Sequence, residues 1–342
     1  MRKKLFAMFI ACFLPSAMFA GSGDANNDGK IDVADIGEIV NNYVLKNPDI
    51  GKIWTAVTVD TKKLWSDANV DGKIDMDDVQ AIADYLMMSE AERLDRGKAL
   101  SEATSDDLGS VIASDGRVYP AGTIGITPIA MIVYIGKPGT ADCNSETYRG
   151  LAIALSDSEG TYDGNGHIHL NNDSGTYGSM WETMGYKKVD KEWVFDEKLC
   201  IAARNGLNVP LSYDVSLPTG DVTSGWFMPS AGQYTAFYLS YGGIEANTSH
   251  YLNWSYFRFV IGSDENSNPI YSDGNEFILA DLRKAGDTSV NVNNYVFWTC
   301  SPVEPYSTKS RVIFTDFVSR SGFFISNISG ENKKRIRPFL AF

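Results

Sequence analysis

The stretch DANNDGKIDVADI, Asp24 to Ile36, returns 43 residues later as DANVDGKIDMDDV, Asp67 to Val79. Any fold of this chain has to hold two copies of one tight acidic loop. Oxygen-bearing side chains recur at Asp24, Asn26, Asp28, Asp32 and Asp35, and again at Asp67, Asn69, Asp71, Asp75 and Asp78. A solvated acidic turn needs no such spacing, whereas a hard cation does. Calcium takes six to eight oxygens at flexible distances, supplied by alternate side chains of a coiled loop. Gly29 and Gly72 stand where the turn needs a positive φ. Lys30 and Lys73 follow them and are expected to give their carbonyls, which leaves their side chains free to be cationic. The spacing therefore predicts two Ca2+ ions, with Ile31 and Ile74 pairing as a short bridge between the loops.

The residues after each loop repeat as well. Ile36, Ile39, Val40, Tyr43 and Val44 fall at i, i+3, i+4, i+7 and i+8, and Val79, Ile82, Ala83, Leu86 and Met87 take the same places in the second copy. Each helix then has one apolar stripe, and the two stripes bury against each other.

No full helix precedes either loop, and the final ligand position holds Asp rather than the bidentate Glu of an ordinary EF-hand. Two such units in tandem resemble a type I dockerin, over about residues 23–90. The resemblance implies a small all-α calcium-binding module and a cohesin-like domain of a scaffold or surface protein as partner. It also places the partner-reading residues at Val33, Ala34, Met76 and Asp77. Cellulosomal dockerins usually carry a hydroxyl pair there, and the segment between these repeats is longer than theirs.

The first twenty residues read as a secretory signal: Arg2, Lys3 and Lys4, an apolar run from Leu5 to Leu14, and small residues before a cleavage after Ala20. Lipidation at Cys12 is the alternative. No later stretch reaches the roughly 20 apolar residues of a membrane span. The net charge of −13 disfavours nucleic acid and anionic membrane as partners. It is concentrated beside the repeats, because residues 21–107 hold 19 acidic side chains against 9 basic ones. Cys143, Cys200 and Cys300 are widely spaced. One disulfide with a free thiol and three buried thiols are both open readings.

A module over 21–90, a linker with a short helix over 91–109 and a second domain over 110–342 are expected. Ser89 and Glu92 form a capping box for the short helix. Beyond Gly109 the runs IAMIVYIG and RGLAIALSD read as a strand pair, and RVIFTDFV, GFFISNIS and RIRPFLAF as three closing strands, the last pair joined through GEN. Residues 196–205 read as one helix. A second begins at Ser230 and Gln233, with Tyr234, Phe237, Tyr238 and Tyr241 on one stripe. The result is an α+β domain.

Gly225, Trp226, Met228, Pro229, Ser230 and Gln233, then Phe297 to Cys300, then Arg335, Arg337 and Pro338, make this part similar to bacterial C-type-lectin-like domains. The likeness is to the major paralogous domains of surface proteins, relatives of formylglycine-generating enzyme. It implies a display or binding domain, with a glycan as one ligand class. Among the aromatics of this part, Trp254 is the candidate for stacking on a sugar ring, with core packing as the default reading for each. The cysteines do not reproduce the reactive site of the enzyme relatives, and the sugar-binding triplets of true C-type lectins are missing at Glu304, Pro305 and Tyr306. His167 and His169 read as a polar loop edge or a metal pair, and Asp163 and Asn165 begin a calcium loop without completing it. No catalytic residues are assigned. The sequence reads as an exported, multidomain, non-catalytic protein, with a docked carbohydrate-active hydrolase as the alternative.

Overall fold

The computed structural model describes residues 22–45, 65–136, 148–158, 186–190, 192–195, 213–217, 223–229, 231–241, 243–249, 254–263, 269–272, 276–287, 296–302, 312–316, 323–328 and 336–342. Helix α1 (Val33–Ile39) starts at Asp32, whose carboxylate caps it, and runs into a π-helical turn at Val40–Val44. Helix α2 (Met76–Met87) starts in the same way at Asp75. Helix α3 (Glu90–Asp95) is capped by the Ser89–Glu92 box that the sequence marks.

Between α1 and α2 lies a small core of Ile39, Ile74 and Ile82, with Ile31, Ile36, Tyr43, Val79, Tyr85 and Leu86 around it. Ile31 and Ile74 form no bridge: neither is in a strand, and both side chains join this core instead. Met87, expected on the apolar stripe, is 76% exposed because the helix ends there.

Residues 98–108 are not a free linker. Strand β1 (Lys98–Ala99) pairs with β3 (Arg117–Tyr119), and Leu100 and Ala103 are buried against the sheet that follows. That sheet has seven strands, in the order β1-β3-β2-β4-β5-β15-β8. Its other members are β2 (Val111–Ala113), β4 (Pro128–Ile135), β5 (Gly150–Ala154), β8 (Trp226–Phe227) and β15 (Phe339–Ala341).

The continuous apolar runs of β4 and β5 follow from burial on both faces. Successive side chains of a strand point to opposite sides. Met131, Val133, Leu151 and Ile153 enter one core, while Ala130, Ile132 and Ala152 enter another under Leu100 and Ala103.

On the first of these faces lies α4 (Ala231–Ser240), with Tyr234, Phe237 and Tyr238 fully buried as the stripe predicts. The same helix touches β9 (Gly243–Ser249), β12 (Val296–Pro302) and β13 (Val312–Asp316), so it lies between two sheets. The second sheet has six strands, adding β10 (Trp254–Ser263), β11 (Pro269–Ser272) and β14 (Phe323–Ile328). Strands β6 (Tyr186–Val189) and β7 (Glu192–Phe195) form a hairpin of their own. Each described strand pair is antiparallel.

Two expectations change. Helix α5 (Glu276–Lys284), which buries Ile278 and Leu282 one turn apart, was not anticipated. The last strand does not pair with GFFISNIS: β13 and β14 pair together in the second sheet, while β15 returns to the first, between β5 and β8. The signal segment and the helix expected over 196–205 lie outside the described residues.

Arg337, just before β15, is buried and meets Asp157 at 2.7 Å, Asp287 and the carbonyl of Ala154 at 3.0 Å. Its guanidinium also lies 5.1 Å from the Phe297 ring centre. Burial works against its charge, but Asp287 and Asp157 outweigh that and raise its pKa above the ordinary arginine value. Arg337→Ala leaves two buried carboxylates without this partner, and should cost about 3–5 kcal/mol. Urea unfolding of the full chain checks this; a loss below about 1 kcal/mol would contradict the anchoring role.

Candidate metal centre

The two acidic loops fold alike, with the same backbone amides donating to the same side-chain oxygens. Asp24 accepts from the amides of Asp28 (3.0 Å) and Gly29 (2.9 Å), and Asp67 accepts from those of Asp71 (3.1 Å) and Gly72 (2.9 Å). The side-chain oxygens of Asn26 and Asn69 take the same Asp28 and Asp71 amides, each at 2.9 Å. Asp28 and Asp71 accept in turn from Lys30 and Lys73. At the far end Asp35 accepts from Asn26 and Asp32, and Asp78 from Asn69 and Asp75. Asp32 and Asp75 cap their helices through Ala34 and Asp77. Gly29 and Gly72 have φ of +82° and +86°, which is the turn that their position requires.

This folding buries Asp24, Asp35, Asp67 and Asp78, all at 5% exposure or less, while Asn69, Asp28 and Asp71 stay at the rim. Among the described residues no lysine or arginine pairs with those four; the Lys73–Asp71 contact of 3.9 Å lies outside them. Burial first, and then the charge of Asp78, push the pKa of Asp67 up to about 7. Burial likewise pushes Asp78 up to about 6, against the pull of its backbone hydrogen bonds. Asp24 and Asp35 rise for the same main reason.

Among the described residues, no three acidic, histidine or cysteine side chains are gathered tightly enough to hold a metal ion as they stand. The carboxylates are turned onto backbone amides. A carboxylate has about four lone-pair sites, so one that accepts two amides keeps capacity for a cation. The donor set fits a hard ion, because it is all oxygen: Asp24, Asn26, Asp28, Asp35 and the Lys30 carbonyl in one loop, and Asp67, Asn69, Asp71, Asp78 and the Lys73 carbonyl in the other. Asp32 and Asp75 are engaged as helix caps.

Val33 (72%) and Met76 (54%) are exposed, as are Ala34 and Asp77, at the first turn of each helix. Trp254 heads strand β10, paired with Ser249 and Ser326. Trp226 is held by packing, with its indole N–H on the Val215 carbonyl at 2.8 Å and its ring edge-on to Tyr213 at 5.0 Å. Asp163, Asn165, His167, His169, Cys143, Cys200 and Glu304 to Tyr306 lie outside the described residues.

No protein-family model matches this chain, and no curated protein matches it. Among solved structures it is similar to a fimbrial protein from Bacteroides ovatus, at 13% identity and a TM-score of 0.36 over 69% of this chain. The chain spans 48% of that protein's length. No helix among the described residues is long and apolar enough to cross a membrane.

The raised carboxyl pKa values fix a pH trend for protein stripped of divalent ions. A group whose folded pKa exceeds its unfolded value contributes stability that is complete below the unfolded pKa and lost as pH rises through the folded one. With Asp67 moving from 3.8 to about 7 and Asp78 from 3.8 to about 6, the loops should melt at progressively lower temperature as pH rises from about 4 to 8. Circular dichroism melts at helix wavelengths check this, and a rise in melting temperature over that interval would contradict it.

Proposed function

We propose that this is an exported protein whose tandem loops bind two calcium ions and whose module engages a cohesin-like partner, leaving the C-terminal α+β part as a non-catalytic display or binding domain. The observation that carries this reading is the matched folding of the two loops, which buries two carboxylates in each with no cationic side chain among the described residues to pair them. Buried carboxylates are costly unless paired, and a divalent cation coordinated by oxygen is the partner that this donor set suits. Asp24 and Asp67 hold the first half of each loop, Asp35 and Asp78 close it, and Gly29 and Gly72 let the chain wrap. The likeness to C-type-lectin-like domains supports a ligand-binding role for residues 110–342, with a glycan as the ligand class.

Isothermal titration of the full chain should give two calcium ions bound. Asp24→Ala and Asp67→Ala should each lower the count to one, and the double variant should bind none. Two ions retained by the double variant would remove the assignment. The same preparation, screened on glycan arrays and on polysaccharides, separates binding from turnover; turnover would replace the display role with a hydrolase.

The exposed pair Val33 and Met76 gives the partner reading its own test. An apolar anchor at the centre of an interface costs about 2 kcal/mol or more on truncation. Because the repeats offer two similar faces, Val33→Asp or Met76→Asp alone should leave cohesin binding near normal, and the two together should abolish it. Surface plasmon resonance against immobilised cohesin domains reads this out, and loss of binding in one single variant would refute the two-face arrangement.

A further inference from the structure

The repeats differ at two places that meet the rest of the chain. Where the first copy has Asn27, the second has Val70, and where the first has Asn42, the second has Tyr85. Asn27 and Val70 share a left-handed backbone, with φ of +60° and +59°. Asparagine adopts that region readily, whereas a β-branched residue is strained there.

Val70 is held by the turn between β3 and β4. Gly122 has φ of +81°, and a Cβ on it would overlap the Val70 side chain. Gly125 has φ of +77°, and a Cβ there would overlap the Tyr85 ring. Between the two glycines Ile124, 8% exposed, enters the core of the loop–helix pair. Its Cγ2 comes 3.0 Å from the place a Cβ on Gly23 would take, and its carbonyl accepts from Arg96 at 2.8 Å. Arg93 lies over the other part of the seam, 4.3 Å from the Tyr85 ring centre.

We propose that the second loop–helix unit is a clamp on the 120–126 turn, so that filling of the 67–78 loop and docking of the module onto the sheet domain reinforce each other. This rests on the calcium reading above. Val70 sits between two ligand positions, Asn69 and Asp71, so the loop cannot be ordered around an ion without fixing the side chain that meets Gly122. Coupling of this kind is reciprocal: docking favours the ordered loop as much as the ordered loop favours docking.

The test is hydrogen exchange on the full chain, with calcium and with chelator, alongside titration calorimetry. In the unmodified protein, calcium should slow exchange over residues 117–133. Val70→Asn installs the residue of the first loop, relieves the backbone and touches no ligand. It should still bind two ions, but the slowing over 117–133 should disappear. Ile124→Ala, outside the loops, should weaken calcium binding about five-fold or more, near the lower end of ordinary coupling. Two ions bound with exchange over 117–133 unchanged would overturn the coupling and leave the calcium reading intact. Absence of calcium binding in the unmodified chain would overturn both.

Discussion

Arg337 joins parts of the chain that lie far apart in sequence. Its guanidinium reaches Asp157 after β5, Asp287 after α5 and the Ala154 carbonyl, and it lies against Phe297 of β12. The strand that it introduces, β15, fills the place between β5 and β8. Without that strand β8 has no neighbour in the sheet, and Phe339 no longer packs on Tyr234 of α4, 5.0 Å away between ring centres. The position of α4 between the sheets depends on this closure.

Buried aspartates are handled in two ways in this molecule. Asp157 and Asp287 face a guanidinium, and attraction between full charges offsets much of their desolvation. Asp24, Asp35, Asp67 and Asp78 face backbone amides and one another, and burial raises their pKa values against the pull of those amides. The first arrangement is complete within the protein chain. The second has acceptor capacity left over and negative charge unbalanced, and this difference is what separates a structural ion cluster from a candidate ligand site.

What could be read from the sequence was what is local. The loops, the cap at Ser89 and the stripe of α4 depend on spacings of a few residues, and each is where its spacing puts it, whereas Asp32 and Asp75, read as loop ligands, turn out to cap their helices. The pairing of β4 with β5 was also legible, because two apolar runs a short distance apart have few other places to go. The return of β15 to the first sheet was not, since its register is set by residues about 190 positions earlier (Phe339 opposite Ile153). Helix α5 carried a weak signal in Ile278 and Leu282, one turn apart, within a short segment rich in charge. Val70 and Tyr85 were visible as departures from the repeat, but their meaning needed Gly122, Ile124 and Gly125, which no spacing rule connects to them.

The seam and the exposed pair do not compete for the same surface. Met76 opens α2 and Tyr85 lies nine residues later; at about 100° per residue, that places them half a turn apart around the helix. Tyr85 is pressed against Gly125, while Met76 stays 54% exposed on the other side. The first unit keeps Asn27 and Asn42 exposed where the second has seam residues, and Val33 stays open at the start of its helix. Contact in cis thus uses the changed side of the second unit, together with the shared core and Gly23 that Ile124 enters. The positions that the repeats hold in common at their helix starts remain free on both units, so attachment to the sheet domain leaves an approach from outside open.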